Sequence, residues 1–412
     1  MDQFTITPTT MTYGGDALGR LPDGRALFVP FVLPGETVRV RIVEEKQRYA
    51  RGELIEVLEP SSERVAPRCV HFTTCGGCHY QHLPYELQLS TKTDILRDQL
   101  ERIGKFDAVP VLQAVASPQH FNYRNHVQFH LAEGGQPGYF QADKQRVFPI
   151  QECHLPEEGI NQLWPQMDFE FIPDLERIAL RAGADGDIQL ILESNQVQVP
   201  SLLVEELPVS VAHVSPAGTL VLAGSEHLMI EVKSQPLRVS AGSFFQVNTA
   251  GANLLVDKML EELGDLGALD GSKTICDAYC GVGLFSLFVA PMTKKLLAIE
   301  TSASACEDFV HNLDDFDHVE LYEADTALAL EGIQDSLDVL LLDPPRSGLS
   351  RQVIDAITRK EIPILLYISC DPATLARDGK RLSRSGYHLQ RVVAVDMFPQ
   401  TFHIESLSIW LR

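Results

Sequence analysis

The chain contains no apolar run near the roughly 18 residues that a membrane-spanning helix requires, so no membrane association is expected. Met1 to Gly15 offers no basic segment followed by an apolar stretch, which argues against a secretory leader and makes the cytoplasm the expected compartment. Cations are in short supply. The 34 Lys and Arg face 56 Asp and Glu, a formal net charge of −22, which speaks against a phosphate-binding surface spread over the whole chain. Cysteine is too sparse for the disulfide framework of a small secreted domain, with eight in 412 residues. Internal repeats and low-complexity tracts are absent as well.

What is present fits an ordinary globular protein, with 45% hydrophobic and 22% charged residues and enough length for two or three domains. The charge is unevenly spread. Residues 1–150 carry 16 basic and 17 acidic side chains, whereas the remainder carries 18 and 39. A nucleic-acid-binding front half joined to an acidic catalytic back half fits this asymmetry, and so does a generally acidic protein. Three of the cysteines, Cys69, Cys75 and Cys78, fall within ten residues. In a cytosolic protein that clustering points to a metal ion or an iron–sulfur cluster.

Residues 1–58 read as short strands broken by turns. Phe4–Thr7, Ala26–Val29, Thr37–Val43 and Arg51–Leu58 are the candidates, with turns at Gly14-Gly15, Asp23-Gly24 and Pro34-Gly35. Such a run without helices predicts a small barrel. Arg41, Lys46, Arg48, Tyr49 and Arg51 mix cations with an aromatic ring, as suits a face that tracks phosphates; a solvated strand pair would carry the same residues. After a cysteine loop at 59–82, Pro84 opens an amphipathic helix with Leu96, Leu100 and Ile103 on its apolar face and Gly104 as C-cap. Strand patterns return from about 110 to 235, which predicts a central mixed domain.

The last third changes character. Compact apolar runs at Thr274–Ala278, Leu296–Ile299, Leu337–Leu342 and Ile364–Ile368 alternate with helix-period stretches, predicting a doubly wound parallel sheet. The closing segments His388–Val395 and Ile404–Leu411 leave no room for a crossover helix and should pair antiparallel. Gly281 and Gly283, between the first strand and a helix starting near Leu284, let the backbone approach a ligand. Glu300 ends the next strand, where a carboxylate can accept both hydroxyls of a ribose. These residues define a nucleotide site, and NAD would suit it too, although Ser286 stands where the dinucleotide fingerprint has its third glycine. Cys370 follows the strand Ile364–Ile368, at the ligand-binding edge of such a sheet.

Several motifs together resemble the RNA 5-methyluridine methyltransferases over nearly the whole chain. Tyr13-Gly14-Gly15-Asp16-Ala17-Leu18-Gly19-Arg20 and Val32-Leu33-Pro34-Gly35-Glu36 look like the TRAM domain. Cys69-x5-Cys75-Gly76-Gly77-Cys78 is similar to the cluster motif of the ribosomal-RNA members, Ser369-Cys370-Asp371-Pro372 to the nucleophile motif, and Pro399–Glu405 to the general-base motif. Asp343-Pro344-Pro345-Arg346 resembles the acidic motif of many nucleic-acid methyltransferases. The resemblance implies a multidomain protein. It would have an N-terminal OB-like β-barrel (TRAM) at 1–58, a central α+β domain with a four-Cys site at 59–235, and a C-terminal α/β Rossmann-like class I methyltransferase domain at 236–412.

It also implies S-adenosylmethionine contacts at Gln246, Tyr279, Glu300, Asp325 and Asp343. Asp325 stands where relatives have Asn, and Leu284 stands where they often have another Asn, so no contact is carried over there. Cys370 would be the nucleophile and Glu405 the general base. Cys69, Cys75, Cys78 and the more distant Cys153 would hold a [4Fe–4S] cluster; spacing alone allows zinc equally. Arg124, in Phe121-Asn122-Tyr123-Arg124-Asn125, would contact RNA together with Arg48 and Arg51, although an exposed strand edge explains Arg124 as well. The expected substrate is a uridine of 23S ribosomal RNA, with the transfer-RNA T-loop as alternative, and a monomer is expected.

Carbon 5 of uridine is a poor nucleophile until a thiolate adds to carbon 6, after which a base must remove the proton from carbon 5. A strand-end cysteine and a carboxylate at one mouth answer that need. Two other classes compete. Radical methylthiotransferases need an open iron site and a Cys-x3-Cys-x2-Cys loop, which this spacing does not match. A non-catalytic iron–sulfur RNA-binding protein would have no use for Cys370 with Glu405.

Overall fold

Apolar and polar residues alternate along Thr37–Glu45 and Tyr49–Glu59, which turns one side of each strand inward. In the computed structural model, which describes residues 3–167, 169, 174–199 and 208–412, these strands centre a six-stranded sheet. Its order is Gln3–Ile6, Thr37–Glu45, Tyr49–Glu59, Ala26–Pro30, Asp16–Arg20 and Thr10–Met11, coiled around Ile6, Leu27, Val29, Val38, Val40 and Ala50. Asp16–Arg20 and Thr10–Met11 are strands that the sequence pattern did not reveal, being short and interrupted by Gly19.

The middle of the chain forms a mixed seven-stranded sheet. It runs Gly218–Ala223, Val209–Ser215, Ile188–Ser194, Leu175–Ala182, His126–Leu131, Pro137–Phe140 and Val147–Pro149. Phe129, Ile160, Trp164, Leu180 and Leu192 fill the space between this sheet and the helix Glu158–Leu163.

The helix Tyr85–Gln99, extended by a wide turn to Gly104, lies apart from that sheet and covers the C-terminal one. Its Ile95, Leu96 and Leu100 share a core with Leu340, Leu342, Tyr367 and Trp410. Val111 and Val115 then bridge to Val392 and Val395. The residue that closes this helix in the left-handed conformation is Lys105, at φ 63°, and not Gly104. Gly104 has another reason to lack a side chain, since a Cβ there would sit 2.6 Å from the Phe106 ring.

The C-terminal strands are β1 (Thr274–Ala278), β2 (Lys295–Glu300), β3 (Val319–Glu323), β4 (Val339–Leu342), β5 (Ile364–Ser369), β6 (His388–Val395) and β7 (Glu405–Leu411). They lie in the order β3-β2-β1-β4-β5-β7-β6. All pair in parallel except β7, which is antiparallel to both β5 and β6, as expected from the short connection before it. The order reverses between β1 and β4, and there the sheet opens the crevice that α/β folds use for ligands. Among the described residues no helix is long and apolar enough to cross a membrane.

Candidate active site

Around the loop after β1, the backbone is shaped by three residues with positive φ, namely Tyr279 (65°), Gly281 (55°) and Gly283 (95°). A Cβ at Gly281 would meet nothing within 4 Å, so this glycine borders open space, whereas one at Gly283 would strike Leu313 and Phe309 at 2.9 and 3.0 Å. Glu300, at the end of β2, is locked in place. Its carboxylate accepts from the Gly281 backbone N–H at 3.0 Å and from Thr301 and Ser302 at 2.6 and 2.8 Å. Ser286, where a dinucleotide site would have glycine, donates to Asp277 at 2.7 Å inside the core. Burial pushes Asp277 up to about 7.

Asp325 is the N-cap of the helix Thr326–Gly332, accepting from Ala327 and Leu328 at 2.9 and 3.2 Å through one oxygen. A cap of this kind stabilises by about 1 kcal/mol, which accounts for an acidic residue there without a ligand. Gln246 is buried in the loop before helix Thr249–Asp265. Its backbone carbonyl accepts from Asn125 at 3.1 Å.

At the neighbouring strand ends, Ser369 on β5 pairs with Ser406 on β7. The next residues outward are Cys370 and Glu405, which the antiparallel register therefore sets opposite one another. Cys370 is half-buried. Burial pushes its thiol up to about 12, and the nearby carboxylates of Glu405, Asp343 and Asp371 add to this while Arg346 opposes it. Glu405 is buried and its carboxyl is raised well above the ordinary range, by burial first and then by Asp343. Asp343, one step beyond β4, is raised likewise by burial and by Asp277. Both carboxyls thus depart upward from the ordinary carboxylate range.

Arg346 also donates to the His403 ring at 3.4 Å, and burial holds that imidazole neutral. Asp371 caps the helix Pro372–Arg384 with one oxygen and accepts the Tyr13 hydroxyl with the other at 3.1 Å. The N-terminal sheet thus touches the residue after Cys370. Arg346 and Tyr13 both stand in motifs quoted above, but a contact spanning 358 residues leaves no trace in sequence.

The four candidate ligand cysteines come together too. Cys69, Cys75, Cys78 and Cys153 line one cavity of about 50 Å³, with His71, Glu152, His154 and Arg124 also in its wall. A Cβ at Gly76 would sit 3.1 Å from both the Phe140 and the Gln141 carbonyl oxygens, so that glycine is what lets the loop curl there. Burial raises all four thiols, Cys75 to about 11 and Cys78 to about 12. Among the described residues no group of three or more His, Cys, Asp or Glu is placed to hold a single metal ion.

The Arg124 backbone bridges to Pro156 and Asn248, and its side chain borders the cysteine cavity. Arg51 faces solvent but is paired with Asp16 at 2.9 Å, and Arg48 is exposed. Cys276, Cys280 and Cys306 are buried, and the first two pack as small apolar residues in the cores around the sheet.

A seven-stranded sheet in this order, with a glycine loop after β1 and a carboxylate ending β2, defines a class I methyltransferase fold. Comparison with known proteins narrows the class. Residues 221–412 match the tRNA (Uracil-5-)-methyltransferase family and residues 5–55 match the TRAM domain. An uncharacterized RNA methyltransferase of Aquifex aeolicus is 34% identical, over 98% of this chain and 97% of its own length. One from Halalkalibacterium halodurans is 31% identical, over 99% and 96%. The crystal structure of Pyrococcus abyssi tRNA (uracil-54, C5)-methyltransferase in complex with S-adenosyl-L-homocysteine shares the fold, with a TM-score of 0.75 at 24% identity over 99% of this chain and all of that one. The chain belongs to this family of S-adenosylmethionine-dependent RNA uracil-5 methyltransferases.

Proposed function

We propose that this enzyme methylates carbon 5 of a uridine in 23S ribosomal RNA through a covalent Cys370 adduct. The observation that carries the reading is the convergence of Cys370, Glu405, Asp343 and Arg346 at one sheet edge. S-adenosylmethionine supplies the electrophilic methyl group, and Tyr279, Glu300, Asp343 and Gln246 are the residues that would hold it, with Asp325 contributing its uncapped oxygen. Glu300 would accept the ribose hydroxyls, and the open backbone at Gly281 would leave room for the nucleoside.

Cys370 adds to carbon 6 as the thiolate, which its acidic neighbours disfavour. A cation brought into the site, as the sulfonium is, offsets that repulsion. Glu405 takes the proton from carbon 5. A raised pKa makes the ionised form a stronger base towards a weakly acidic C–H, and that form must be present once the methyl group has been transferred. The target base must leave its stack to reach Cys370, so a loop uridine is expected.

The four cysteines would hold a [4Fe–4S] cluster. Space for one water takes roughly 10–15 Å³, so the cavity between them admits a group of several atoms. Loading the site would release the protons that these buried thiols hold. Four protein ligands leave no open coordination position, which favours a structural role.

Transfer RNA is the second reading, because the Pyrococcus abyssi protein of the same architecture is a tRNA (uracil-54, C5)-methyltransferase. Mass-spectrometric mapping of 5-methyluridine in both RNAs, from cells with and without the gene, decides between them. Loss of a 23S site supports the proposal. Loss at the T-loop alone replaces it with the second reading, and no change in either RNA removes both.

A further inference from the structure

Glu405 begins β7, and the loop before it, residues 396–404, is held from outside at five successive positions. Lys92 donates to Asp396 at 2.6 Å and to the Phe398 carbonyl at 2.9 Å, both from inside the core. Asn248 donates to the Met397 carbonyl at 2.9 Å, and the Tyr123 hydroxyl to that of Pro399 at 3.0 Å. At Gln400 the chain adopts φ 68°, a conformation that costs a non-glycine residue about 1 kcal/mol or more. There the bonding is densest. The Gln400 carbonyl accepts from His79 and Tyr80, the two residues after Cys78, at 2.9 and 3.0 Å.

Gln88 completes the arrangement. It is 1% exposed, on the helix that follows the cysteine loop. Its side-chain carbonyl accepts the Gln400 backbone N–H at 2.9 Å. Its amide donates to the Gln400 side chain at 3.1 Å and to the Tyr80 and Leu83 carbonyls at 3.2 and 3.0 Å. One amide thus ties the cysteine loop to the base-bearing loop, and every hydrogen-bonding group it has is engaged.

We infer that Gln88 is a positioning residue, which fixes the loop 396–404 so that the Glu405 carboxylate faces carbon 5 of the methylated base. The inference rests on the base role proposed above for Glu405. In the step concerned, the proton on carbon 5 passes to Glu405, its electron pair re-forms the C5–C6 double bond, and the Cys370 sulfur leaves as thiolate. Addition and methyl transfer precede that step and do not use the base. A displaced Glu405 therefore stalls the enzyme after methylation, with RNA still attached.

The test compares Gln88→Met, which keeps length and removes the hydrogen bonds, with Gln400→Ala, which leaves Gln88 two carbonyl acceptors, and with Glu405→Gln. Turnover is expected to fall roughly ten- to hundredfold in the first two, as a displacement of about 1 Å would do. Denaturation-resistant, methylated enzyme–RNA adduct should accumulate in both, with KM for S-adenosylmethionine unchanged. If Gln88→Met does not fold, as a thermal melt would show, Gln88→Asn, whose amide is one methylene short of the Gln400 N–H, decides by the same readout. Adduct in Glu405→Gln but in neither glutamine variant overturns the positioning role alone. Absence of adduct in Glu405→Gln overturns the base assignment and the inference with it.

Discussion

At the scale of single residues, the site is governed by carboxylates that lie close to a thiol. With the Cys370 thiol pushed up to about 12 by burial and by Glu405 and Asp343, little thiolate exists near neutrality in the free enzyme. The reactive form is the deprotonated one, so its population rises with pH up to that value, roughly tenfold per unit. Formation of the adduct with 5-fluorouridine RNA in the absence of S-adenosylmethionine should therefore climb from pH 6 to 9 without levelling. A plateau below pH 8 would show a thiol whose pKa lies below the ordinary value of about 8.5, not above it. Cys370 and Glu405 could be placed from sequence because each stands in a motif at a strand end. Arg124 could not. A Tyr-Arg-Asn segment looks the same whether its cation stands alone or, as here, borders a cavity built from loops distant in sequence.

At the scale of elements, legibility followed burial. Strands β1, β2, β4 and β5 are covered on both faces, so their residues are apolar without interruption and the runs stand out. The short strands Thr10–Met11 and Asp16–Arg20 offer too few alternations to be seen. The helix Tyr85–Gln99 was legible as a helix, but where it docks was not. One signal was available: Gln88 and Lys92 fall at four-residue steps with Leu96 and Leu100, placing polar groups on the buried face.

Close packing at the far side gives a stability prediction. A Cβ on Gly379 would lie 2.5 Å from the Trp410 ring, between the helix Pro372–Arg384 and the sheet. Gly379→Ala should cost about 1–3 kcal/mol through overpacking. A lower Tm by calorimetry is the expected outcome, and an unchanged or higher Tm would mean that the indole shifts without strain.

At the scale of the molecule, segments far apart in sequence meet at the edge that carries Cys370 and Glu405. The N-terminal sheet reaches Asp371 through Tyr13, and the cysteine loop reaches Gln400 through His79 and Tyr80. The near balance of charge in residues 1–150 is realised in the N-terminal sheet as ion pairs among its own side chains. Arg25 pairs with Asp23 and Glu45, Arg39 with Glu56, Arg41 with Glu53, Lys46 with Glu44 and Arg51 with Asp16. Among the described residues of that sheet, Arg20 and Arg48 form no ion pair.

An interface with so few unspent charges releases few counterions on meeting a polyanion. Each cation that neutralises a phosphate of single-stranded RNA contributes a slope of roughly −0.7 to log K against log salt, so a grip through this sheet alone should show about −1 to −2. Fluorescence anisotropy across a salt series measures it. A much steeper slope would mean that these pairs open to RNA or that phosphates are gripped elsewhere. A shallow one would describe an enzyme that finds its uridine by contour and stacking, and so keeps its hold as ionic strength rises.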